Sequence, residues 1–150
     1  MEWKKLVLAA IAFAIISQFV HIAGTLVDMN YYTNPAYFSL WSTLMMPGAA
    51  PPGLDFYAAS ILVSLITGLV FAYAFSMSKQ LFVAKKAFKS DKYWKIGIRF
   101  GLFLFVMIGA TNFLSSWLLF SFPLALQLSW LLQALVIYLA AGVAFAKVME

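Results

Sequence analysis

The chain has 150 residues, 65% of them apolar and 10% charged, with 10 Lys and Arg against 5 Asp and Glu for a formal charge of +5. A soluble domain is about 45–50% apolar and about 25% charged, so this composition excludes soluble enzymes, disordered chains and collagen-like repeats. With no cysteine there are no disulfide frameworks, thiolate catalysis, zinc fingers or iron–sulfur ligation.

The first apolar run, Leu6 to Val27, follows Lys4 and Lys5. It is longer than a secretory h-region and no small-residue cleavage pattern closes it, which predicts an uncleaved signal anchor serving as a first spanning helix. Gln18, His21, Thr25 and Asp28 fall within about 80° of one another on this helix at 100° per residue. Such a stripe is expected to point into the bundle or toward a hydrated cavity, because in hydrocarbon an imidazole and an amide are unsatisfied.

Between the first and second runs lies an aromatic connection. Asn34-Pro35 offers an N-cap followed by a first-turn proline, and Tyr37, Leu40, Trp41 and Leu44 recur at i, i+3, i+4 and i+7. This predicts a short amphipathic helix over 35–46 lying in the outer membrane interface and ended by Pro47-Gly48. Tyr31, Tyr32, Tyr37, Trp41, Phe56 and Tyr57 read as an interfacial aromatic belt, matched by Trp3, Tyr93 and Trp94 at the opposite end. Asp55 is placed to cap the second helix.

The second run, Tyr57 to Met77, carries Ser60, Ser64, Gly68, Ala72 and Ser76 at every fourth position. Small residues in register let another backbone approach closely, so this ridge is read as a packing surface for another helix of the same chain, or for a second copy or a membrane-protein partner. Beyond it the helix is expected to run on through Lys85 and Lys86, with Ser90 or Asp91 capping the next. In the third run, Ile96 to Phe120, Asn112, Ser115 and Ser116 share a face with Thr111 beside them. The fourth, Leu124 to Ala146, follows a turn so short that the last two helices are antiparallel neighbours. Of its two glutamines, Gln127 and Gln133, at most one is expected to join a polar cluster, since they do not share a face.

All ten Lys and Arg lie before the first run, around the connection between the second and third, or after the fourth. Residues 28–56 and 121–123 hold none, so the positive-inside rule places both termini in the cytoplasm. The basic charge is therefore a topology signal, with no nucleic-acid partner implied. No inverted repeat, phosphate loop, nucleophile elbow, paired intramembrane carboxylates or metal-ligand spacing is present. One histidine does not supply both axial ligands of a haem, and no cofactor is expected.

The segment Met29 to Trp41, with Asn34-Pro35-Ala36 and Leu40-Trp41, behind a first helix opened by Trp3, Lys4 and Lys5, resembles small four-helix integral membrane proteins of prokaryotes that carry no assigned activity. The resemblance implies a four-span layout and brings no catalytic residue. The chain is thus expected to be an all-α bundle of four transmembrane helices with an interfacial helix in its first outer loop, multi-pass in a prokaryotic cell membrane. Two functions are open. One is a non-enzymatic accessory subunit or scaffold, whose polar residues are interhelical glue in a dry bundle. The other is a small transporter or solute-binding protein, with an outward cavity between the first and third helices lined by Gln18, His21, Thr25, Asp28, Asn112, Ser115 and Ser116.

Overall fold

A computed structural model describes residues 2–45, 50–83 and 92–150, and for residues 79–83 the backbone alone. The elements in order are α1 (Trp3–Val27), α2 (Met29–Thr33), a 3-10 helix (Pro35–Leu40), α3 (Leu54–Val83), α4 (Tyr93–Leu104), a π-helical segment (Phe105–Ala110), α5 (Thr111–Leu119) and α6 (Leu124–Val148). Among the described residues there is no strand. The Pro47-Gly48 stop, the Lys85 and Lys86 extension and the Ser90 or Asp91 cap lie outside the described residues.

Four helical stretches are long and apolar enough to cross a membrane: Trp3–Val27, Leu54–Ser78, Tyr93–Leu119 and Leu124–Val148. No more than 33% of the most apolar window of any of them is buried. Their outward faces are therefore as apolar as their contacts, with Phe19 71%, Leu62 58% and Leu118 77% exposed. A water-soluble bundle instead shows polar residues on that side.

α6 packs between α1 and α4, and α3 lies along α1. The chain alternates direction, so the termini, the end of α3 and the start of α4 share one end, here the lysine end, and residues 28–45, 50–53 and 120–123 share the other, the loop end. At the lysine end the ring closes through phenylalanines. Phe75 meets Phe100 edge to face at 5.0 Å and Phe145 at 6.3 Å, and Phe13 meets Phe71 at 5.5 Å. Leu6, Ala9, Ala72, Ile96, Leu104 and Ala141 fill the space around them, all buried.

Two crossings bring backbones together. On the predicted ridge, Gly68 faces Ala10, and a Cβ there would lie 2.9 Å from the Ala10 carbonyl oxygen. The tighter crossing joins α4 to α6, where a Cβ on Gly97 would lie 2.5 Å from the Gly142 carbonyl oxygen, and Gly101 and Gly142 are closed off as completely. Gly101 and Gly142 stand out in the sequence as small packing residues, and Gly97 completes with Gly101 the G-x-x-x-G spacing that signals such a crossing.

The π segment decides which way the third long helix faces. In α4 the buried positions are Ile96, Gly97, Phe100, Gly101 and Leu104. Carried on at α-helical spacing, that face would reach 108, 112 and 115. A π turn accommodates one extra residue, so beyond it Gly109, Phe113 and Ser116 turn inward and Asn112 and Ser115 are exposed.

The first connection also departs from expectation. Asn34 caps as predicted, its Oδ1 accepting from the Ala36 N–H at 3.0 Å. The helix it starts is 3-10 and ends at Leu40, and Trp41 is extended at φ −93°, ψ 148°. What ends it is the indole of Trp41, which donates to the Tyr31 carbonyl at 3.3 Å and lies against Tyr32, Phe122 and Trp130 at 4.9, 6.1 and 6.1 Å. The expected amphipathic helix over 35–46 is thus a 3-10 helix that stops at Leu40, and residues 41–45 are not helical, with Met46 outside the described residues. Asp55 lies inside the first turn of α3, where its charge still suits the helix dipole, and so does not cap it.

Candidate functional site

The polar stripe of α1 keeps its single face and finds partners on α3 and α6. Gln18 sits opposite the ridge, and its Nε2 donates to Ser60 Oγ at 3.0 Å and Ser64 Oγ at 3.1 Å. One turn on, His21 Nδ1 lies 3.3 Å from Gln133 Oε1. Thr25 spends its hydroxyl on its own helix, donating to the His21 carbonyl at 2.8 Å. Asp28 ends the helix, 3% exposed, with Oδ2 accepting from Ser129 Oγ at 2.9 Å and Gln133 Nε2 at 3.1 Å. Gln133 is thus the one of the two α6 glutamines that joins the stripe, and Ser129 is the member the sequence did not single out, although its spacing of four residues from Gln133 along one helix was the available signal. Gly24 makes room for them, because a Cβ there would strike the Gln133 amide.

The third helix does not complete this cluster. Asn112 and Ser115 are exposed and, among the described residues, make no side-chain hydrogen bond. Ser116 turns inward and donates to Gln127 Oε1 at 3.1 Å, while Gln127 Nε2 donates to the Phe122 carbonyl at 2.9 Å. The two glutamines of α6 therefore serve separate networks: Gln133 joins the α1 stripe, and Gln127 fastens the turn to α5. The expected grouping of α1 with Asn112 and Ser115 fails because the π segment rotates those residues off the inward face. Of the ridge, Ser60 and Ser64 accept from Gln18, Gly68 and Ala72 pack inside, and Ser76 donates to the Tyr73 carbonyl at 2.7 Å.

At the loop end α1, α3 and α6 diverge beneath the first connection and leave an open cavity of about 890 Å³. Gln18, His21, Ser60 and Gln133 supply polar groups, and Ile22, Phe38, Phe56 and Trp130 are among the apolar walls. Tyr32, Phe56 and Tyr57, expected in an interfacial belt, line this space instead. Among the described residues no Lys, Arg, Asp or Glu lines it. Burial pushes the Tyr32 phenol above its ordinary range, a hydrogen bond with the Trp130 side chain opposes the rise, and the nearby Asp28 charge adds to it. Among the described residues no three His, Cys, Asp or Glu side chains come together as they would to hold a metal.

Fold and site together define a class: an all-helical bundle of four long apolar helices, tightly packed at one end and hollow at the other. No protein-family model, curated protein or solved structure matches the chain.

Proposed function

We propose that this chain is a four-span integral membrane protein, with both termini and the lysine end in the cytoplasm, that binds a small molecule in the cavity at its outer end. The cavity carries this reading. Ligand sites are typically concave spaces of about 300–1,000 Å³, mostly apolar, with a few polar groups that orient the occupant. A volume of about 890 Å³ with Gln18, His21 and Gln133 among apolar walls has that make-up. The insertion is supported by the four apolar helices and by the placement of all ten basic residues at one end of the sequence's spans. No catalytic step or resident cofactor is assigned; binding or passage of a solute accounts for the arrangement.

A second reading rests on Asn112 and Ser115. Two polar side chains turned outward from an apolar helix suit contact with another helix, in a homo-oligomer or with a membrane-protein partner, and this supports a role as accessory subunit or scaffold.

Because the chain has no cysteine, single substitutions report access directly. Thr25→Cys and Tyr57→Cys are expected to react in intact cells with a membrane-impermeant maleimide, and Lys92→Cys only after the membrane is opened. Labelling of Lys92→Cys from outside overturns the orientation. Failure of both cavity cysteines to react, with the protein folded, overturns the cavity reading and leaves the scaffold reading.

A further inference from the structure

We infer that the cavity selects an uncharged amphipathic molecule whose head group donates hydrogen bonds, a hydroxyl or phenol on an apolar body, and that Asp28 sets this preference through Gln133 and His21. The inference rests on the ligand-binding reading above and gives it a chemical class.

A carboxylate accepts hydrogen bonds and donates none, so Asp28 Oδ2 fixes the Gln133 amide with its NH2 toward Asp28, at 3.1 Å. The opposite end of that amide, Oε1, is then turned to His21 Nδ1 at 3.3 Å. Two acceptors do not share a hydrogen bond, so Nδ1 must carry the proton. In a neutral imidazole the other nitrogen, Nε2, is then a lone-pair acceptor. Nε2 has no partner among the described residues, and His21 is exposed to the cavity it lines.

Gln18 is arranged alike. Its Nε2 is committed to Ser60 and Ser64, leaving Oε1 as the free group of a side chain that also lines the cavity. Two acceptors, three residues apart on one helix face, thus meet the ligand head. At His21 and Gln18 a carboxylate or phosphate head is disfavoured, since it would face two acceptors there and, among the described lining residues, no Lys or Arg to neutralise it. Asp28 and Gln133 are positioning residues here: the ligand meets the nitrogen whose state they impose.

The single histidine makes the test clean. The full chain in nanodiscs, with 15N-labelled imidazole at pH 8, is expected to show the Nδ1–H tautomer without ligand. Asp28→Asn, whose amide no longer dictates how Gln133 turns, is expected to give a mixture of tautomers. Titration with 4-pentylphenol should shift the Nε2 resonance saturably. 4-Pentylanisole, of the same shape but without the donor proton, should bind at least tenfold more weakly by saturation-transfer NMR. His21→Phe should bring the phenol down to the affinity of the anisole. An Nε2–H tautomer in the unliganded protein, or an anisole that binds as tightly as the phenol, overturns the inference while the cavity stays an apolar binding site. Absence of saturable binding by both probes overturns the ligand-binding reading itself.

Discussion

The Asp28 carboxylate is enclosed at the end of α1 with two side-chain donors, and its charge is felt by the neighbouring phenol of Tyr32. That phenol is the group through which pH acts on the loop end. Its pKa is raised in the folded chain, mainly by burial, above the 10.0 of an exposed tyrosine. The folded state therefore holds the proton longer than the unfolded one, and the resulting stability is present below pH 10 and lost as pH rises through the folded value. Tyr32→Phe is expected to flatten the alkaline loss of thermal stability that starts near pH 10, with little change at pH 7, as followed by melting in detergent between pH 7 and 11. An alkaline loss of the same size in the variant contradicts this. Asp28→Asn should lower the Tyr32 pKa without returning it to the ordinary value, since burial persists.

Among the elements, the third long helix is the one whose face could not be read by counting. An apolar run shows that a helix exists, and the runs located all four. Which residues face inward then depends on a constant 100° step, and a π turn within Phe105–Ala110 breaks that step; the one glycine inside it, Gly109, does not by itself distinguish a π turn from a regular helix, and no proline is present to mark it. The stripe on α1 was legible because α1 is regular throughout. Its partners were legible only in part: Gln133 stood out as a candidate, whereas Ser129 pairs with Asp28 across a hundred residues of sequence, a distance that local pattern does not span.

Substitutions on α5 test this register. Interhelical hydrogen bonds in membrane bundles are worth about 0.6 kcal/mol on average and up to about 1.7. Ser116→Ala should cost a loss within that range, because it leaves Gln127 Oε1 without its donor. Asn112→Leu, on the exposed face, should cost nothing or stabilise the isolated chain. The opposite ranking by thermal melting would place Asn112 inside. Deleting Met107, an exposed residue of the π segment, should restore an uninterrupted α-helix with 109, 113 and 116 still inward. Its melting temperature should stay near that of the parent, whereas deletion of Val136 from the regular α6 should abolish folding.

The whole molecule is divided in its packing, with the phenylalanine core and the two close backbone crossings toward the lysine end or mid-bundle and the cavity at the other. Stability is expected to follow that division. Phe100→Ala removes a ring that is 1% exposed and touches Phe75 and Phe145, and should cost about 3–5 kcal/mol. Gly142→Ala pushes a methyl against the Gly97 carbonyl and should cost about 1–3 kcal/mol, the range for overpacking. Phe38→Ala, in the cavity wall, should leave the melting temperature within a degree or two. Equal losses at both ends would show that the two halves do not differ in this way.

The aromatic roof joins residues made early to residues made late: Trp41 lies on Phe122 and Trp130, and Asp28 waits for Ser129 and Gln133. A ribosome releases the first half of the chain long before the last helix, so for that interval the cavity lacks one wall and Asp28 lacks the Ser129 and Gln133 side chains that later donate to it. Completion of the chamber is therefore the closing act of biogenesis.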